Sequence, residues 1–174
     1  MADLSANAAH ANVIYTTEVS KSDKVRSIKH AVVQRWQTTW ENSIEMTGKG
    51  RHLNSIKEKI SHWPWANYGG RAAETTLARL RIGHANYKAH EFRFNMIGSP
   101  NCFCGQSETI SHIMLHCPMY NQNRNQLRNK MSALGVSLNL KNLLGGGDFD
   151  CPTQKAIVEN VVSYLRNIGK LYRM

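Results

Sequence analysis

Apolar residues recur at helical spacing in several separate stretches of the chain, each bounded by residues that start or stop helices. Val25, Ile28, Val32, Trp36 and Trp40 follow one another by three or four positions behind Ser22 or Asp23, and the pattern stops near Gly48. A long amphipathic helix is predicted there. Its Trp36/Trp40 stripe reads as core, because aromatic pairs at i, i+4 pack inward more often than they serve as stacking platforms. Leu53, Ile56 and Ile60 predict a short helix or helical turn, and His62-Trp63-Pro64-Trp65 and Tyr68-Gly69-Gly70 read as an ordered loop. The next helix starts about Arg71 with Ala73, Leu77 and Leu80 on one side, and a shorter one carries Tyr87, Phe92 and Phe94 towards Pro100.

Further along, Pro118 suits a first helical turn, Leu127, Met131 and Leu134 make a face, and Gly135 suits the closing position. Gly145 to Gly147 read as a flexible joint, and Pro152 opens a last helix with Ile157, Val161, Leu165 and Ile168 facing inward. Residues 1–21 have no sustained apolar period and read as a flexible arm, leaving 22–174 as a helical domain. The expected fold is therefore mainly α, a small helical domain with a CCHC zinc-binding turn.

That turn is drawn from residues 102–117, where the order is C-x-C-x7-H-x4-C. Structural zinc takes four nitrogen or sulfur donors in a closed tetrahedron, and Cys102, Cys104, His112 and Cys117 supply them. Gly105 permits the tight turn after the cysteine pair, 108–116 can form a short helix presenting His112, and Cys117 falls past its end, before Pro118. His116 lies one helical turn after His112 and stands as an alternative to His112 or Cys117. Three crowded cysteines suit a metal site in a reducing compartment better than a disulfide framework, and Cys151 reads as an ordinary thiol. A closed set leaves no position for a reacting water, so the ion is expected to be structural.

Charge changes the picture next. Lys and Arg number 22 against 12 Asp and Glu, a formal charge of +10 over 174 residues, which favours a polyanionic partner, with RNA or DNA the leading candidate. Arg71, Arg79, Arg81, His84, Lys88, Arg93, Arg124 and Arg128 are the candidate phosphate contacts. No apolar run approaches the roughly 18 residues of a membrane span and the Ala-rich start lacks the apolar stretch of a secretory signal, so a soluble protein is expected, intracellular in keeping with its reduced cysteines.

The ordered landmarks Arg35-Trp36-Gln37-Thr38-Thr39-Trp40, Gly50-Arg51-His52-Leu53, Leu80-Arg81-Ile82-Gly83-His84 and Cys117-Pro118 before a basic helix accompany the cysteine motif. Together they resemble the C-terminal zinc-binding region of non-LTR (LINE-like) retrotransposon polyproteins, which follows the reverse transcriptase and RNase H domains. The resemblance runs from about Val25 onward. It implies binding to template RNA or target DNA, a nuclear location, and upstream reverse transcriptase and RNase H domains as partners. Ala2-Asp3 with Ala6 and Ala9 resembles the end of such an RNase H domain, which makes residues 1–21 its remnant and Asp3 a relic of its metal-binding carboxylates. The other carboxylates of that chemistry belong upstream, and no H-E-x-x-H or phosphate-cradling glycine loop occurs here, so no catalysis is expected. The competing reading is a protein-interaction or scaffolding module whose helices at 23–47 and 152–172 dock a partner.

Overall fold

The apolar periods are realised as helices. Among the described residues of this computed structural model, 19–61, 63 and 70–171, the strand-like pairing is confined to an isolated antiparallel bridge between Asn101 and Ser107. Expectations for Asp3, for most of the 1–21 arm, and for the loop around His62, Trp65 and Tyr68 lie outside the described residues. The chain divides into two units, Met1–Glu41 and Asn42–Met174, with the division inside the first helix.

That helix, α1, spans Lys21–Thr47. Its cap is Ser20 rather than Ser22 or Asp23, with the Ser20 hydroxyl accepting from the Asp23 amide at 3.1 Å. The core reading of its aromatic stripe is corrected, since α1 buries none of its residues and Trp36 is 59% exposed. A single helix cannot bury its own apolar stripe, whatever the periodicity.

In the second unit, α2 (Arg51–Ile56) contributes Ile56 to the core, and α3 (Gly70–Ile82) contributes Ala73, Thr76, Leu77 and Leu80. Gly83 ends α3 in the left-handed region (φ +79), where the amide of His84 bonds back to the Arg79 carbonyl. His52 lies against this turn and donates from Nε2 to the Leu80 carbonyl at 2.8 Å. After α4 (Lys88–Arg93) comes the cysteine turn, then α5 (Asn121–Ala133), α6 (Leu140–Leu143) and α7 (Cys151–Asn167). The main helix pair is α5 against α7, joining Leu127 and Met131 to Ile157, Val161 and Leu165, while α6 bridges α2 and α7. Asp150 caps α7 by accepting from the Thr153 amide at 3.1 Å, ahead of Pro152.

The 145–147 segment is not the flexible joint that three glycines suggest. Gly146 passes directly beneath the carbonyl of Ile56, inside the distance any Cβ requires, and its amide bonds to the Lys141 carbonyl at 2.8 Å. Glycine is needed here for close backbone approach. Gly146→Ala is accordingly expected to destabilise the domain by about 1–3 kcal/mol, the usual cost of overpacking, measured as a shift in the urea midpoint at constant slope.

Candidate metal centre

The cysteine turn is shaped by its own backbone. The amide of Cys102 bonds to the Gln106 carbonyl at 2.8 Å and that of Gly105 to the Cys102 carbonyl at 2.9 Å, with Gly105 at φ +89. This folds Cys102 and Cys104 to one side and leaves Phe103 at the apex, 86% exposed. Past Glu108 the chain becomes helical at Ile110 and then widens at His112–His116, so that the Cys117 amide reaches the His112 carbonyl at 2.7 Å, five residues back. In an α-helix residues five apart stand about 140° from each other around the axis. The widened turn, a form found often at functional sites, lets His112 and Cys117 share one side.

The result is a four-donor cluster. The ligand atoms of Cys102, Cys104, His112 and Cys117 all lie within 4.8 Å of one another. Cys102 and Cys117 sulfurs are 3.7 Å apart, and Cys104 Sγ is 3.2 Å from His112 Nε2. A tetrahedron with metal–sulfur bonds of about 2.3 Å has edges of about 3.8 Å, so these residues fit a metal ion of that size. His116 is exposed and outside the group, which leaves His112 as the imidazole donor. Cys151, exposed at the first position of α7, takes no part.

Burial sets the electrostatics. Desolvation pushes the Cys117 thiol up to about 11 and lowers His112, keeping the imidazole in the neutral form a metal requires. The backbone of Gln106 hydrogen-bonds Cys104 and holds its thiol below the ordinary value. Without an ion, the folded state favours protonated Cys117, so stability from this group is present below the ordinary thiol value and is lost as pH rises towards about 11. With an ion the sign reverses, because the metal must displace the thiol protons. Metal affinity is expected to fall by about a decade per pH unit for each displaced proton, and chelator competition from pH 8 to 6 measures it.

A layer of buried groups holds the widened turn. The Ile113 and Met114 carbonyls of the turn, and the Cys117 carbonyl just past it, accept from side chains of α5 and α7. Arg124 donates from Nε to the Met114 carbonyl at 3.3 Å and from Nη2 to the Cys117 carbonyl, and the Tyr164 hydroxyl donates to the Ile113 carbonyl at 2.7 Å. Glu108, 3% exposed, meets Lys170 Nζ at 2.8 Å and so ties the approach to the turn to the chain beyond α7. Sequence reasoning missed Glu108, Tyr164 and Lys170, whose spacing from the ligands carries no motif.

The eight basic candidates divide. Arg71, Arg79, His84, Arg93 and Arg128 are exposed and Lys88 is half-buried. Arg124 is corrected to a structural role, since it is 3% exposed and its donors face backbone carbonyls. Arg81 is half-buried, donating from Nε to the Leu144 carbonyl at 3.0 Å and lying 4.5 Å from the Trp63 ring centre, so its guanidinium also serves internal contacts. No helix among the described residues is long and apolar enough to cross a membrane. Comparison with protein-family models, curated proteins and solved structures finds no match to this chain.

Proposed function

We propose that the chain is a nucleic-acid-binding module organised by a structural zinc ion, equivalent to the tail of a non-LTR retrotransposon polyprotein. The observation that carries this reading is the closed Cys102, Cys104, His112 and Cys117 set within a chain of charge +10. Thiolate and imidazole donors suit zinc over calcium or magnesium, which prefer oxygen. Zinc in such a set supplies rigidity alone, so the reading assigns this chain no catalytic step. Arg71, Arg79, His84, Lys88, Arg93 and Arg128 contact phosphates, which gives affinity without sequence choice. On the same resemblance the module works in the nucleus beside reverse transcriptase and RNase H domains.

Native mass spectrometry with and without a chelator, combined with anisotropy titrations against RNA and DNA at several salt concentrations, tests this. One zinc per chain is expected, with a log–log salt slope of about −4 to −5 if six phosphates are neutralised. A folded chain without metal, or binding indifferent to salt, overturns it.

One observation favours a second reading, a protein-docking role. Along α1, Val25, Ile28, Val32 and Trp36 are each more than two-fifths exposed, an apolar stripe of the kind that lays into a partner's groove. A stable protein complex that covers α1, with no affinity for RNA or DNA, would favour it.

A further inference from the structure

Among the described residues Phe103 is the most exposed large apolar side chain, at 86%. Burying a phenylalanine stabilises a fold by about 1.5–3 kcal/mol, and this one forgoes that. Both neighbours, Cys102 and Cys104, belong to the four-donor cluster, and the turn beneath is closed by the Cys102–Gln106 and Gly105–Cys102 backbone bonds. A bound ion therefore fixes the backbone that carries the ring before any ligand arrives.

The surroundings of the ring are basic and polar. Lys88 Nζ stands 4.2 Å from its centre, and Lys88 opens α4. Further along α4, His90 and Arg93 line a groove of about 290 Å³ that is also lined by Thr109 and Ser111, from the segment between the cysteine turn and His112. Arg93 donates to His90 Nδ1 at 3.3 Å along this wall. An outward-facing aromatic ring with a cation against it, and a further cation on the same short helix, is the kind of pairing that binds single-stranded nucleic acid, with a base on the ring and phosphates on the cations.

Resting on the nucleic-acid reading above, we propose that Phe103 is a stacking residue for an unpaired base, with Lys88 and the Arg93 groove holding the adjoining backbone. This makes the preferred ligand single-stranded RNA or DNA. Inside a duplex each base face is covered by its neighbours, so a projecting ring has nothing to stack on; in a single strand the faces are open.

The test uses the zinc-loaded full chain and anisotropy titrations with labelled oligouridylate, oligothymidylate and a duplex of matched length. Phe103→Ala is expected to weaken single-strand binding by about tenfold or more and duplex binding by less than about twofold, with Phe103→Trp restoring the single-strand affinity. Loss confined to one oligonucleotide identifies RNA or DNA as the source. Lys88→Ala weakens strands and duplex alike, because a phosphate contact reads neither. Zinc stoichiometry in each variant confirms that the turn is intact. A Phe103→Ala chain that binds strands as tightly as the parent, or loses strand and duplex equally, overturns the stacking role and leaves the nucleic-acid reading standing. A parent chain that binds none of the three removes both.

Discussion

Cys117→Ser is expected to abolish stoichiometric zinc binding and to melt the segment from Asn101 to Tyr120. Cys117 is fully buried and supplies one of the four donors, so a serine there removes a ligand and sets a hydroxyl in its place among buried sulfur and apolar atoms, while the loss of the ion releases the turn that the other three donors hold. Zinc bound to small structural sites contributes about 10–16 kcal/mol, comparable with the entire stability of an ordinary domain of about 5–15 kcal/mol. Native mass spectrometry reads the metal, and thermal unfolding with and without added zinc reads the coupling. Cys104→Ser, at a half-exposed position in the same set, should lose the metal with less damage to the metal-free fold. A Cys117→Ser chain that keeps one zinc at parental affinity would falsify the assignment of the four donors.

Arg124→Met is expected to cost about 2–4 kcal/mol of unfolding free energy. Methionine matches much of the arginine stem but donates nothing, leaving the Met114 carbonyl without a donor at about 1–3 kcal/mol and the Cys117 carbonyl with the Tyr120 amide at 3.2 Å as its remaining partner. Three thiolates around one divalent ion also carry a single net negative charge, which the guanidinium offsets from beneath. Arg124→Lys should recover part of the loss, since a lysine keeps the charge but not the fork of donors. Urea unfolding of the zinc-loaded protein decides this, and a change under about 1 kcal/mol in Arg124→Met would reduce Arg124 to an incidental contact.

These two residues illustrate what the sequence makes legible. Cys117 could be placed because zinc ligation demands particular atoms at short spacing, and a four-donor pattern within sixteen positions is local information. The helix faces of α3, α5 and α7 were legible for a similar reason, since Leu77 and Leu80, Leu127 and Met131, and Ile157, Val161 and Leu165 repeat with the helical period. Arg124 was misread because it stands in a polar helix among Asn and Gln, where charge ordinarily faces water. What draws it inward is a demand made elsewhere, the carbonyls at the end of a widened turn, and no one-dimensional pattern announces that. Trp36 was misread in the opposite sense. Its period marks an apolar stripe, but periodicity does not state what covers it. Gly146 was read as freedom and is instead proximity, since glycine serves both needs.

The ion pair between Glu108 and Lys170 spans 62 positions, and the bond from Tyr164 to Ile113 spans 51. At about 5–20 residues per second, a ribosome that has added Cys117 needs several more seconds to reach Lys170. Through that interval a nascent chain holds its complete donor set without the side chains that will brace it. Thiols in an unbraced turn are open to oxidants and to competing metals, so a metal that fills this set would have to reach it before they do.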